Sequence, residues 1–352
     1  MLKNLLIFSH PVVRDPSSSA GKSRSDEHRS DQVDLPDRWD LPDRWKRNAQ
    51  RIGVWMQKHR LIPDQVRCAP TLMSRTATEK ACKAAGLNEE IVQDDVRLKR
   101  YTGSLLSELL VEINSASTCM LIAVDAKVAL EISRQVAGVR HNDPEVAPLN
   151  TEDRLLHLEI TVRAIEAAAS HVAVFGHLQE SLDPSSLPKL FPYPDVFGSE
   201  QRPRPAYYYR QSAVIPFRYF DDELEVLVVS TSKGKRWVVP KGIHDPGKSA
   251  QESAANEAME EAGVLGNVID VEVGRYTHDK WGATCTVAVY PMEVTEVLDD
   301  DRWPESHRKR EWLSVDAAAD RVHQHELRDM IRSLPEMLGE RLSNESKPHG
   351  RG

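Results

Sequence analysis

At 352 residues, with 40% hydrophobic and 28% charged side chains, the chain is too long for one ordinary core and suits about two domains. A mean hydropathy of -0.49 and the lack of any long uncharged apolar run argue against a spanning helix. With 46 Lys plus Arg against 54 Asp plus Glu, for a formal charge of -8, it is not a general nucleic-acid coat, although local basic clusters can still bind a compact polyanion.

The first apolar stretch, Leu5 to Phe8, is too short for a signal-peptide core and ends in Ser9-His10-Pro11. Cys68, Cys82, Cys119 and Cys285 form no CxxC pair, so neither a disulfide scaffold nor a zinc knuckle is expected. A reducing cytoplasm is the expected compartment.

In chain order, Leu5–Phe8 reads as a strand. Asp15–Asp40, rich in Ser, Asp, Arg and Pro, reads as a solvated insertion running into a tandem duplication, Asp34–Trp39 then Asp40–Trp45. Two copies make no solenoid. Ile52, Val54, Trp55 and Met56 share one helix, Leu105, Leu106, Leu109 and Leu110 another, and Met120–Val124 is a strand. Strands alternating with helices predict an α/β fold for residues 1–181. Residues 182–205 carry repeated prolines and read as a linker. Beyond it, 212–220 and 225–231 predict a hairpin turning at Asp221-Asp222, followed by a short strand at Trp237–Val239. A helix over Ser249–Ala262, a strand over Thr284–Val294 and a terminal helix over Arg321–Leu342 complete a 206–342 domain, with 343–352 as a disordered tail. Cys119 and Cys285 lie in apolar strand contexts and read as core. His323 and His325, two apart on that terminal helix, point in different directions and make no metal pair.

The chemistry concentrates after Pro240-Lys241-Gly242. Glu257, Glu260 and Glu261 stand at i, i+3 and i+4 and share a helix face. Carboxylates about 6 Å apart repel by roughly 3 kcal/mol per pair at an effective dielectric near 20. Magnesium, or manganese in its place, relieves that repulsion and takes carboxylate, water and phosphate oxygens. Ala254, Ala255, Ala258 and Ala262 leave the opposite face small, and Gly263 suits the helix stop. On spacing alone a solvated acidic face is the commoner case.

Gly242 followed by Asn256-Glu257-Ala258-Met259-Glu260-Glu261-Ala262-Gly263-Val264 resembles the signature box of the Nudix hydrolases: Gly, five residues, Glu, seven residues, then Arg-Glu-apolar-x-Glu-Glu-x-Gly-apolar. The first Glu is Lys248 here and the Arg is Asn256. In the family both brace the metal-binding loop and helix, so their loss bears on metal affinity and rate. The likeness narrows to the diphosphoinositol polyphosphate phosphohydrolases through Ala213–Arg218, Glu225–Ser232, Arg236–Gly242, Glu293–Leu298 and Arg308–Trp312. It implies an α/β/α sandwich with a mixed sheet and magnesium held by Glu257, Glu260, Glu261 and the Lys241 carbonyl. Glu260 and Glu261 are the principal ligands, with Glu257 as a further ligand or the general base. A cationic rim for a highly anionic substrate is expected from Arg218, Lys233, Lys235, Arg236, Lys241, His307, Arg308 and Lys309.

The N-terminal half resembles the short phosphohistidine phosphatases of the histidine phosphatase superfamily. The likeness runs from Leu5–His10 through Leu41-Pro42, Arg47–Trp55 and Pro63–Pro70 to Leu121–Asp125. His10 holds the nucleophile position, but Ser9, Met73 and Asp125 stand where the pocket's two Arg and second His belong. Met supplies no donor, and Asp repels a phosphoryl group. The domain is therefore expected to be catalytically silent. Homodimer formation, regulation or weak anion binding are the roles left to it.

Three functions follow for the C-terminal half. The first is phosphoanhydride hydrolysis of diphosphoinositol polyphosphate or polyphosphate. The second is the same chemistry on dinucleoside polyphosphates or nucleotides, with Tyr276, Trp281 or Trp303 stacking a base. The third is a non-catalytic polyphosphate sensor with a weakened box.

Overall fold

The computed structural model describes residues 2–10, 43–113, 116–137, 154–164 and 172–345. The insertion and most of the duplication lie outside the described residues, as does the tail beyond residue 345. Two compact units emerge, Met1–Gln201 and Arg202–Gly352. All four cysteines are free and buried. Among the described residues no helix is long and apolar enough to cross a membrane.

The first unit is mixed α/β. Its six-stranded sheet runs β3 (Val92–Asp94), β2 (Gln65–Cys68), β4 (Cys119–Asp125), β1 (Asn4–His10), β5 (Arg154–Ala164), β6 (Val172–Leu182). The strands β3, β2, β4 and β1 are parallel, and β5 and β6 add an antiparallel hairpin. Strand β1 is apolar at every position from Leu5 to Phe8 because both its faces are covered. Leu5 and Ile7 join one core with helices α3 (Leu105–Val111) and α4 (Ala126–Ala137). Leu6 and Phe8 join the other with α1 (Asp43–Lys58) and α2 (Leu72–Ala84). Helices α1 and α2 meet at Gly53, where a Cβ would lie 2.1 Å from the Ala81 carbonyl oxygen.

The 182–205 stretch, expected as a linker, has structure of its own. Pro184–Ser186 form a 3₁₀ turn, and β7 (Phe191–Tyr193) pairs with β8 (Glu200–Arg202) across a cis Tyr193–Pro194 bond.

In the second unit β9 (Arg210–Phe220) and β15 (Ala283–Val297) run parallel at the centre of an eight-stranded mixed sheet. The C-terminal half of β9 pairs with β10 (Glu223–Ser230), turning at Asp221 and Asp222, both with positive φ as this tight connection requires. Its N-terminal half pairs with β12 (Lys241–Ile243). Strand β10 also carries β11 (Trp237–Val238) and β16 (Arg310–Ser314), and β15 carries β13 (Val264–Val268) and β14 (Gly274–Lys280). One face packs on α6 (Val315–Arg321) and α7 (His325–Glu345), the other on α5 (Ala250–Glu257). The terminal helix expected from Arg321 begins instead at His325, and a separate short helix, α6, ends at Arg321, with Val322–Gln324 between them. His323 lies in the break and His325 opens α7. The α7 backbone continues to Glu345, into the stretch expected to be disordered.

Candidate active site

Strand β9 changes partner midway, from β12 to β10, and the start of β12 is tied to the end of the acidic helix by the Lys241 N–H bond to Glu261. Helix α5 starts in a complete capping box: the Ser249 side chain accepts from Glu252 N–H, and Glu252 reaches back to Ser249. Ala254, Ala258 and Ala262 are wholly buried against Val214, Leu227 and Val229, so the helix lies close on the sheet. It widens into a π turn over Ala258–Ala262 and stops at Gly263, φ 61°. Trp303 and Arg310 lock that end. The indole N–H donates to the Glu260 carbonyl at 3.0 Å, and the guanidinium donates to the carbonyls of Ala262, Gly263 and Leu298.

This scaffold aims Glu257 and Glu261 at β12. The Glu257 carboxylate fills the space over Gly242, where a Cβ would sit 1.7 Å from Oε1. Glu261 accepts the Lys241 backbone N–H at 2.9 Å through Oε2, and Arg308 pairs with Oε1 at 2.7 Å. Burial, then the charges of Glu261 and Glu260, push the Glu257 carboxyl up to about 8. Burial also raises Glu261, opposed by the Lys241 N–H and Arg308. Glu260 is exposed on the same turn.

Among the described residues no three His, Cys, Asp or Glu side chains converge closely enough, as placed, to hold a metal ion. The donor set nevertheless fits a hard divalent cation. It is all oxygen, crowded with like charge, and exposed at Glu260, where water and phosphate oxygens can complete a shell.

Around the two departures from the box, Lys248 and Asn256, the loop is tied by His244 Nε2, 2.8 Å from the Lys248 carbonyl oxygen, and by Asp245 N–H donating to Ser253 Oγ (3.1 Å).

The expected cations divide. Lys233, Lys235 and Arg236 are exposed on the turn after β10, and Lys309 is exposed at the start of β16. Backbone bonds from Ser230 to Lys309 and from Thr231 to Arg236 hold these segments side by side, with His307 Nε2 3.0 Å from Ser232 Oγ. Arg308, expected on this rim, is instead a brace: its side chain is 9% exposed and engages Glu261, Glu305 and the Ser230 carbonyl. Arg218 is likewise removed from the rim. It pairs with Glu225 at 2.7 Å and lies 4.1 Å over Trp312, held between strands.

The sequence reading missed Gln211, His278 and Lys280. His278 Nε2 lies 2.9 Å from Gln211 Oε1. Desolvation, then Lys241, lowers the Lys280 ammonium, while Glu261 and Glu257 pull it back up, so these groups lie within electrostatic reach. Their signal was the i, i+2 alternation of β14, where Tyr276, His278 and Lys280 share a face. Of the three aromatics expected to stack a base, Tyr276 and Trp303 are buried, and Trp281 is half-buried under Lys280.

In the first unit His10 is 6% exposed at the end of β1, beside Asp125 at the end of β4. Asp125 Oδ1 accepts the Val128 N–H and so caps α4, Ser9 Oγ donates weakly to the Arg154 carbonyl (3.4 Å), and Met73 is buried in α2. Arg75 is engaged by Glu79 and Asp94.

Residues 209–334 match the NUDIX domain model. Nudix hydrolase 17, mitochondrial, of Arabidopsis thaliana is 35% identical over 134 residues, covering 35% of this chain and 72% of that protein. Diphosphoinositol polyphosphate phosphohydrolase 3-beta of Bos taurus is 37% identical over 113 residues, covering 31% of this chain and 66% of its own length. Among solved structures, a C. elegans Ap4A hydrolase binary complex aligns at 18% identity and TM-score 0.34, over 38% of this chain and 98% of that one. The family model and the identity to relatives matched over more than two thirds of their length place this chain among the Nudix hydrolases.

Proposed function

We propose that the second unit hydrolyses the phosphoanhydride of a highly anionic substrate, of the diphosphoinositol polyphosphate or polyphosphate class, with magnesium or manganese. The observation that carries this reading is the Glu257 carboxyl seated on Gly242 and raised to about 8 by burial and its two neighbours. The diphosphoinositol relatives and the exposed cations at Lys233, Lys235, Arg236 and Lys309 support the substrate class.

Glu257, Glu260, Glu261 and the Lys241 carbonyl would hold the cation. When bound, it neutralises the diphosphate and acidifies a water. Where Glu257 is not itself a ligand, its carboxylate is the base that takes that water's proton. An O–P bond forms in line as the bridging P–O bond breaks, and the leaving phosphate carries off its electron pair. Arg308 positions Glu261 through their ion pair. The Lys and Arg rim orients the non-reacting phosphoryl groups.

The dinucleoside polyphosphate reading keeps one observation in its favour, the half-buried Trp281 ring beside Lys280. In the first unit we read a silent histidine-phosphatase-like domain. Asp125 and Met73 leave the phosphoryl pocket without its cations, with Asp125 committed to capping α4.

The test is magnesium-dependent phosphate release by the full chain from diphosphoinositol polyphosphate, inorganic polyphosphate and diadenosine tetraphosphate. Turnover of the first two is expected, lost by about 10²–10⁴-fold in Glu261→Gln with the fold intact. Preference for the dinucleotide sinks the substrate assignment, and a near-normal Glu261→Gln rate sinks the site.

A further inference from the structure

One face of the second sheet carries polar chemistry that the acidic helix does not use. The strand registers define it. Lys241 stands opposite Ala213, and Ala213 opposite Val289. Gln211 stands opposite Val287, and Val287 opposite Tyr276. Directly paired residues point to the same side, and every second residue along a strand does too. Lys241, Gln211, His278 and Lys280 therefore share one face, running obliquely from β12 across β9 and β15 to the far end of β14. The 2.9 Å contact between His278 and Gln211 confirms the register. At one end the backbone of Lys241 holds Glu261. At the other, Lys280 caps the β14–β15 turn with its ammonium 4.3 Å from the centre of the Trp281 ring.

The charge arrangement is what asks for a ligand. Glu257 and Glu261 lie within electrostatic reach of Lys241 and Lys280, yet among the described residues neither lysine closes a direct ion pair with a carboxylate. The indole face gives Lys280 a partner without neutralising it. Between the two ammoniums lie the neutral Gln211 amide and an imidazole whose protonation is disfavoured by desolvation, then by Lys241 and Lys280. The track is thus positive at both ends and hydrogen-bonding in the middle. A chain of phosphoryl groups, with charge along its length, matches that pattern better than a single orthophosphate.

We propose that Lys241, Gln211, His278 and Lys280 form a recognition track for phosphoryl groups beyond the scissile anhydride, with Lys280 as the specificity-determining residue at its far end. This rests on the phosphoanhydride reading of the neighbouring carboxylates and adds to it where the rest of the substrate lies. The site favours substrates with several linked or clustered phosphoryl groups over those with one or two.

The test is calorimetric titration of the full-length protein with inorganic tripolyphosphate and, separately, orthophosphate, without any divalent cation. Omitting the cation separates this result from the hydrolysis assay, so either can fail alone. Lys280→Met is expected to weaken tripolyphosphate binding about tenfold, the loss of one charge-assisted contact, and to change orthophosphate binding much less. Lys280→Arg should restore the tripolyphosphate affinity, which a merely structural lysine would not require. Added salt should erode wild-type binding more steeply than that of Lys280→Met. Equal affinities of wild type and Lys280→Met for tripolyphosphate overturn the proposal, as does equal loss of both ligands or failure of the wild type to bind tripolyphosphate.

Discussion

Glu257 concentrates the tension between folding and chemistry at a single residue. Its carboxyl rises from 4.5 to about 8, chiefly through burial and then through Glu261 and Glu260. Between those pH values the folded chain binds a proton that the unfolded chain has lost, so stability falls as pH rises through the window. Glu257→Gln removes this liability. Without divalent cations the variant should be about 3 kcal/mol more stable than wild type at pH 7, and no different below pH 4. Urea unfolding at pH 4, 7 and 8.5 measures this, and parallel pH profiles would falsify the burial of that charge. Added magnesium should reverse the order, because it neutralises the wild-type site and leaves the amide nothing to gain. The approach of Glu257 to Glu261 was legible from their spacing of four on a helix, whereas the π turn that carries Glu260 out to an exposed position was not. The roles of Arg308 and Arg218 were not legible. Charge type says that a guanidinium is present, while its partner is set by distant strands: Glu261 for one, Glu225 and Trp312 for the other.

At the scale of the element, the helix that carries these carboxylates is held from both ends. Its start is local, a capping box written within Ser249–Glu252, and could be read from four residues. Its stop is tertiary. Gly263 has φ 61°, and a Cβ there would lie 2.6 Å from Trp303 Cγ and 2.7 Å from Arg310 Nη1. Gly263→Ala combines a left-handed backbone, costing roughly 1–2 kcal/mol, with displacement of both locking side chains. We expect a loss of about 3 kcal/mol in chemical denaturation, with turnover falling because the π turn bearing Glu260 and Glu261 loses its anchor. Turnover unchanged in a destabilised Gly263→Ala protein shows that the lock serves stability alone. The π turn itself left no mark in the sequence, since Ala258–Ala262 suits an ordinary helix. The separation of α6 from α7 at Val322–Gln324, which puts the start of the terminal helix at His325 rather than Arg321, was missed for a related reason. No Gly or Pro interrupts that stretch, and the break is fixed by a bridge from Trp237 to Val322 and by the bond from His323 N–H to the Trp237 carbonyl. The pairing of β7 with β8 escaped notice because three-residue strands flanked by prolines carry no period.

For the whole molecule, the two units differ in what their cores support. The second has two apolar clusters of its own, one on each face of its sheet, built from β9, β10 and β15 with α5 on one side and α6 and α7 on the other. The first has two more, drawn from β1, β4 and their helices. A cut at residues 201/202 leaves all four clusters undivided. A fragment of residues 202–352 is therefore expected to unfold in a single cooperative transition. It should also hydrolyse the preferred phosphoanhydride substrate with a kcat/KM within about threefold of the full chain, given that every residue assigned to that chemistry lies beyond the cut. A fragment of residues 1–201 should release no phosphate from simple phosphoesters, because Asp125 caps α4 where a phosphoryl pocket needs a cation. Thermal melts followed by circular dichroism, with phosphate-release assays on both fragments and the full chain, measure this division. If residues 202–352 fold cooperatively yet lose activity, the first unit contributes to the site, and its role is regulatory or substrate-binding rather than passive. If they fail to fold, the clusters on the two faces of the second sheet are not self-sufficient.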